Sequence, residues 1–140
     1  MKKKIFLFIE CYIKSEYNNK YLDVEKSSIK WGAKVIASKY HGGPSQKWRL
    51  KGNAISNVRS GLVLDIRGSE SVGRYIISYP SHGGLNQQWK LHDDGTIRSP
   101  HNICIEIRGR NLVSTHCSNN SNQKWKLINN FDEISKLIGE

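Results

Sequence analysis

The sequence predicts an all-β fold of three similar repeats, because three sequence markers recur three times in the same order. The first marker is an isoleucine that opens a short apolar segment, at Ile13, Ile55 and Ile97. The second is an acid near the end of such a segment, at Asp23, Asp65 and Glu106. The third is a Gln-x-Trp triplet, at residues 46–48, 87–89 and 123–125. Short apolar segments separated by turns rich in Gly, Ser and Asn are typical of β-strands, about four in each repeat.

Three units of four short strands cannot each bury a core, but together they can close around a pseudo-threefold axis. The sequence therefore predicts a β-trefoil of three pseudo-symmetric four-strand repeats, with one domain over residues 1–128. The repeats are expected at about 5–50, 51–92 and 93–128. The tryptophans of the three triplets are expected to meet near the core: Trp48, Trp89 and Trp125.

The ends of the repeats follow from turn and strand signals. Residues 5–13 predict the first strand, with four core candidates: Phe6, Phe8, Tyr12 and Ile13. The second repeat begins across the turn at 51–53, and the third across 93–95, where Asp-Gly is a strong hairpin signal. Residues 129–140 carry apolar side chains at helical spacing, which predicts a short C-terminal helix packed on the barrel.

The amino-terminal lysines and the apolar residues after them resemble the start of a signal peptide. However, Glu10 ends the apolar run and no small-residue cleavage site follows. No apolar run is long enough to span a bilayer. We therefore expect no membrane span, and either a cytoplasmic location or export by an unconventional route.

The net charge of +10 and the pI near 9.7 make anionic partners a question to consider. Most of the cations are scattered, and Lys47, Arg49 and Lys51 alternate with apolar residues as on a half-buried strand. This placement favours a solvated basic surface over a nucleic-acid interface. A basic trefoil that binds polyanions, such as sulfated glycans, nucleic acid or acidic proteins, is the alternative function.

The second repeat carries the most complete set of candidate binding residues: Asp65, Tyr79, His82, Asn86 and Gln87. They supply an acidic acceptor, a flat aromatic face and two amides. A sugar requires acceptors and donors for its hydroxyls and an apolar face for its C–H groups. The sequence therefore indicates a carbohydrate site in this repeat.

The three triplets and their acid-ended strands resemble those of the ricin B-chain-like lectins, over about residues 8–127. The resemblance implies a β-trefoil with up to three shallow sugar sites, no catalysis and no cofactor. It places the acid of the site at Asp65, the stacking aromatic at Tyr79, the loop histidine at His82 and the amide pair at Asn86 and Gln87. It also implies galactose-type glycans as partners, or xylose-containing chains, with homo-oligomerisation as a possible source of avidity.

The same resemblance implies weaker sites in the other two repeats. The first retains Asp23, His41 and Gln46, but Ser38 stands at the aromatic position and Ser45 at the asparagine position. Tyr40 is a candidate substitute for the aromatic face, although its side chain is expected to point differently.

The third repeat retains Asn122 and Gln123, with Glu106 as the acid and Thr115 at the aromatic position. Thr115 lies only nine positions after Glu106, whereas Tyr79 lies 14 positions after Asp65, so a loop is shorter. We expect this site to be altered or inactive.

Several residues also have purely structural interpretations. The triplet glutamines are expected to bond turn backbone or orient the neighbouring acid, and direct contact of Gln87 with sugar stays open. Asp65 could cap a turn, and His82 could be an ordinary turn residue. Enzyme motifs such as GxSxG and HExxH are absent from the sequence, so no enzymatic activity is expected.

The resemblance to the ricin B-chain-like lectins also has an implication for the cysteines. It implies that Cys104 and Cys117 lie side by side, with their oxidation left open because no secretion signal is seen. Cys11 is expected to be unpaired and buried. A zinc site formed by these two cysteines with His101 and His116 is disfavoured, because their spacing matches no compact ligand pattern.

Overall fold

The computed structural model describes residues 9–129, and these form twelve β-strands, four in each repeat. The first repeat contains β1 (Ile9–Ser15), β2 (Tyr21–Val24), β3 (Ala33–Ser38) and β4 (Trp48–Lys51). The second contains β5 (Ala54–Asn57), β6 (Val63–Ile66), β7 (Ile76–Tyr79) and β8 (Lys90–Leu91). The third contains β9 (Ile97–Arg98), β10 (Ile103–Arg108), β11 (Asn111–His116) and β12 (Trp125–Asn129). The prediction of three four-strand repeats is confirmed.

Short 3₁₀ turns provide the helical content of the described residues. They lie at Glu25–Ser27, Pro44–Gln46, Leu85–Gln87 and Ser121–Gln123. The last three occupy equivalent places and each ends at the glutamine of a triplet. No helix in residues 9–129 has the length and apolar character that crossing a membrane requires.

The strands close around a pseudo-threefold axis, as a β-trefoil requires. Each repeat contributes an antiparallel hairpin, β2–β3, β6–β7 or β10–β11. The second strands of these hairpins contact one another in turn, through Lys34 opposite Ile77, Asn111 opposite Ile36, and a bridge between Tyr75 and Val113. The three repeats therefore share one closed sheet and one core.

The three triplet tryptophans fill this core in the same way. Trp48, Trp89 and Trp125 are buried members of one hydrophobic cluster. Their indole N–H groups donate to strand carbonyls of their own repeats, at Leu22 (3.0 Å), Leu64 (3.0 Å) and Ile105 (3.2 Å). The marker isoleucines Ile13, Ile55 and Ile97 lie in the same cluster. The sequence repeat is therefore a repeat of core positions and of buried hydrogen bonds.

Some predictions fall at the ends of the described chain. Phe6 and Phe8, the amino-terminal lysines and most of the predicted C-terminal helix lie outside residues 9–129. Asn129, where the predicted tail begins, is the last residue of β12 and pairs with Cys11.

Cys104 and Cys117 form a disulfide, which confirms their predicted proximity and answers the question of their oxidation. Both sulfurs are therefore engaged with each other rather than presented to a metal. In the first repeat the corresponding pair is Tyr21 and Tyr40, with ring centroids 5.1 Å apart. Cys11 is free and buried as expected, and burial, together with the charge of Glu10, raises the pKa of its thiol to about 12.

Candidate functional site

The strand register places the three candidate stacking positions at equivalent points. Tyr79 lies opposite Val63 on β6, Ser38 opposite Tyr21 on β2, and Thr115 opposite Cys104 on β10. In each case the acid of the repeat lies two residues further along the first strand. Residues two apart on a strand point to the same face, so each acid and its stacking position face the same surface.

In the second repeat, the buried side chain of Gln87 fixes the position of the Asp65 carboxylate. Its Nε2 donates to Asp65 Oδ2 (2.8 Å) and to the Pro80 carbonyl (2.9 Å). Its Oε1 accepts from the backbone N–H groups of His82 (2.8 Å) and Gly83 (3.3 Å). Gln87 is 2% exposed, so all of its polar groups are used inside the protein. This glutamine ties the end of β6 to the loop after β7.

The loop after β7 folds the ring of His82 back onto the chain. Gly83 has a φ of 74°, which only glycine adopts readily, and His82 Nδ1 accepts from the Gly84 N–H at 3.0 Å. A Cβ on Gly84 would lie 2.7 Å from the His82 ring, so a side chain there would displace the histidine. Since Nδ1 accepts, the neutral ring carries its proton on Nε2, which lies 3.9 Å from Asp65 Oδ2.

Asn86 completes the support of the acid. Its Nδ2 donates to Asp65 Oδ1 (3.2 Å) and to the Ile66 carbonyl (3.0 Å), which uses both hydrogens and leaves Oδ1 as its acceptor. Each carboxylate oxygen of Asp65 receives one of the two amide bonds, and each has a second lone pair that can accept from a ligand. Burial raises the pKa of Asp65, and the bonds from Gln87 and Asn86 and the nearby His82 oppose this rise.

Asp65 lies on the wall of a cleft of about 560 Å³, next to Tyr79, His82 and Asn86. The sequence analysis missed one wall of this cleft, which is Trp31. This residue comes from the loop between β2 and β3 of the first repeat, is 71% exposed, and makes an edge contact with the Tyr79 ring at 6.0 Å. One signal could have found it: Trp31 is the one tryptophan of the chain outside the triplets, in a polar loop.

The sequence model of the ricin-type β-trefoil lectin domain matches residues 51–137, more than half of the chain. The chain belongs to this family. No curated protein matches it. Membership confirms the resemblance inferred from the triplets, and a lectin domain is a domain that binds carbohydrate.

Solved structures agree with this assignment. The designed threefold-symmetric protein ThreeFoil is 32% identical with a TM-score of 0.79, over 85% of this chain and 97% of that chain. The earthworm R-type lectin C-half, solved with GalNAc, is 22% identical with a TM-score of 0.74, over 86% of this chain and 98% of that one. An exo-β-1,3-galactanase from Clostridium thermocellum is 28% identical with a TM-score of 0.78, over 91% of this chain but only 32% of that chain.

Within this lectin fold, the first repeat differs from the second at the acid. Asp23 Oδ2 accepts from Ser38 Oγ (2.6 Å), which stands where the aromatic would be, and it lies 3.1 Å from His41 Nε2. Gln46 Nε2 also donates to this oxygen at 3.3 Å. Asp23 Oδ1 is buried without a partner, because Ser45 replaces the asparagine that would donate to it. One carboxylate oxygen of the first-repeat acid is therefore engaged by its neighbours, and the other has no partner.

Tyr40 does not replace the missing aromatic face of the first repeat. Its ring packs against those of Tyr21 and Tyr12, at centroid distances of 5.1 and 5.3 Å. It thus occupies the position that the disulfide holds in the third repeat. The expectation that its side chain points differently from Tyr79 agrees with this packing.

In the third repeat an arginine covers the acid. Arg108 Nε donates to Glu106 Oε2 at 2.7 Å, and Gln123 Nε2 donates to Glu106 Oε1 at 3.1 Å. Asn122 Nδ2 bonds only the Ile107 carbonyl (3.2 Å), while its Oδ1 is buried and without a partner. The shortened hairpin pairs Arg108 directly with Asn111, which keeps the arginine beside the glutamate.

Proposed function

We propose that the protein is a non-catalytic lectin that binds galactose-type glycans through its second repeat. The contacting residues are Asp65, Tyr79, His82 and Asn86, with Trp31 as an additional aromatic wall. Gln87 acts as a positioning residue, because it is buried behind the carboxylate and its polar groups are used. One observation carries the proposal: Asp65, buried like the acids of the other two repeats, lines an open cleft beside the aromatic face of Tyr79.

The geometry supports recognition of adjacent hydroxyls. The two remaining acceptor positions of Asp65 lie on one carboxylate, so two neighbouring hydroxyls can donate to it in short charge-assisted bonds. Asn86 Oδ1 and His82 Nε2–H provide one further acceptor and one further donor. Tyr79 and Trp31 present aromatic surface to the C–H face of the ring. Xylose-containing chains offer similar hydroxyl pairs and are the second ligand class to include.

A single shallow site of this kind binds weakly, with a dissociation constant of about 1 mM, or about 4 kcal/mol. The first and third repeats add little, because the first has Ser38 in place of the aromatic residue and Arg108 bonds the acid of the third. Useful avidity therefore requires clustered glycans or self-association of the lectin.

The test compares two equivalent acids. Asp65→Ala and Asp23→Ala are assayed on a glycan array and by lactose titration, with circular dichroism as the check of folding. We expect Asp65→Ala to abolish binding and Asp23→Ala to retain it, with Asp65→Asn as a second variant if the alanine protein does not fold. Folded Asp65→Ala protein that still binds the same glycans would exclude the second repeat as the site.

Salt separates this function from the polyanion alternative. Binding of a neutral sugar should change little between about 50 and about 200 mM salt, whereas binding to a polyanion such as nucleic acid should fall steeply. A steep fall for every ligand, with no competition by lactose, would replace the lectin proposal by the alternative.

A further inference from the structure

The far end of the cleft carries charges that the proposed sugar contacts do not use. Lys34 and Arg67 both line it, together with Tyr75. Neither cation forms an ion pair with a carboxylate within residues 9–129, whereas Arg49, Arg98 and Arg108 each do. With Asp65 as the acid on its wall, the cleft therefore has a net positive charge.

The strand register fixes where these cations stand relative to the acid. Ile77 on β7 lies opposite Asp65 on one side and opposite Lys34 on the other. The three residues form one row across three strands and face the same surface. Since neighbouring strands are about 4.8 Å apart, the Cα atoms of Asp65 and Lys34 are separated by roughly 10 Å. This register places the backbone of Lys34 across β7 from that of Asp65.

The second cation follows from alternation along the same strand. Arg67 lies two residues after Asp65 and faces the same surface, at the end of the cleft away from Tyr79. The backbone N–H of Arg67 donates to the Tyr75 carbonyl at 3.1 Å, which brings the two residues side by side. The guanidinium of Arg74 lies next to the backbone of Arg67, since its Nη1 donates to the Arg67 carbonyl at 3.2 Å.

Tyr75 keeps one of these charges inside the cleft. The Lys34 ammonium lies 4.4 Å from the centroid of the Tyr75 ring, within the range of a cation–π contact. Lys34 is only half-exposed, so its side chain is held rather than extended into solvent. The cleft thus has a neutral aromatic end at Trp31 and Tyr79 and a cationic end at Lys34 and Arg67.

We propose that the cleft binds an acidic glycan, in which Asp65 holds a neutral sugar and Lys34 and Arg67 bind an anionic substituent on it or on the next residue. This inference rests on the lectin function proposed above and names its ligand class. The substituent is a sulfate or a carboxylate, since both offer oxygens that a guanidinium and an ammonium can bind.

The test uses three ligands and two double variants. The ligands are lactose, a sulfated lactose and a disaccharide of galactose with galacturonic acid, titrated into the full chain by calorimetry. The first variant is Lys34→Met with Arg67→Gln. The second, Lys90→Met with Lys126→Met, removes the same number of charges from exposed positions outside this cleft.

We expect the wild-type protein to bind at least one acidic ligand about five- to tenfold more tightly than lactose, as two exposed charge pairs allow. The variant at Lys34 and Arg67 should bind lactose unchanged and lose this preference, and the lysine control should keep it. The two acidic ligands distinguish sulfate from carboxylate. Raising the salt to about 500 mM should reduce the preference and leave lactose binding unchanged.

Three outcomes would count against the inference, and the last of them has a different meaning from the first two. Lactose bound as tightly as both acidic ligands would refute the acidic-glycan assignment and leave the lectin proposal intact. The same holds if both double variants lose the preference equally, because net charge would then be the cause. Failure of the wild-type protein to bind any of the three would refute the lectin proposal itself.

Discussion

Replacing Gln87 by methionine should be one of the most destabilising single changes in the second repeat. Methionine has a similar length but removes the amide, so four hydrogen bonds of this buried side chain are lost: to Asp65, Pro80, His82 and Gly83. Three neutral bonds at about 1 kcal/mol each and one to a carboxylate at about 2 kcal/mol suggest a loss of about 5 kcal/mol. This is comparable with the whole stability of a marginal domain.

Gln88 provides the matched control in the next position. Its Nε2 makes one exposed bond, to the Gly83 carbonyl at 2.9 Å, so Gln88→Met should cost less than about 1 kcal/mol. Urea denaturation followed by tryptophan fluorescence measures both free energies of unfolding. A folded Gln87→Met protein within about 1 kcal/mol of Gln88→Met would refute the view that this amide holds the site together.

Two further predictions concern binding. Trp31→Ala should weaken sugar binding about three- to tenfold, because it removes an aromatic wall of the cleft, and it should not change stability, because the side chain is 71% exposed. Ile29→Ala, in the same loop and 61% exposed, is the control. Equal losses of binding in the two variants would exclude a specific role for Trp31. Sugar binding should also fall on acidification, since it requires the Asp65 carboxylate and burial raises that pKa above its ordinary value of 3.8. Calorimetric titrations from about pH 7 to about pH 4 should show the decrease beginning above the range of an exposed aspartate, while circular dichroism stays constant; pH-independent affinity would contradict a role for the charged form.

The sequence predicted those parts of the molecule that depend on its internal repeat. The tryptophans, the marker isoleucines and the strand-end acids recur because each repeat must fill the same share of a common core. The bonds of Gln87 match the structural role expected of the triplet glutamine. These features follow from local pattern and threefold closure, so a single sequence can reveal them.

Trp31 was missed for a physical reason. Residues are compared between repeats at equivalent positions, but the cleft lies where two repeats meet. Trp31 belongs to the first repeat and reaches Tyr79 of the second because β3 pairs with β7 around the axis. The cation at Lys34 enters the cleft through the same pairing. Contacts between residues of two different repeats therefore cannot be predicted by comparing the spacing of residues within each repeat.

The acids of the three repeats share one structural bond but differ in the residues that surround them. Every triplet glutamine donates to the acid of its own repeat: Gln46 to Asp23, Gln87 to Asp65 and Gln123 to Glu106. This bond survives whether or not a cleft is open, so acid and triplet together indicate the fold rather than a working site. What differs is the residue that covers the acid. Ser38 and Arg108 bond their acids directly, whereas in the second repeat Tyr79 and Arg67 stand at those positions without doing so. If the second repeat is the sugar site as proposed, the features that set it apart are an aromatic at the position of Tyr79 and a residue two after the acid that does not bind it.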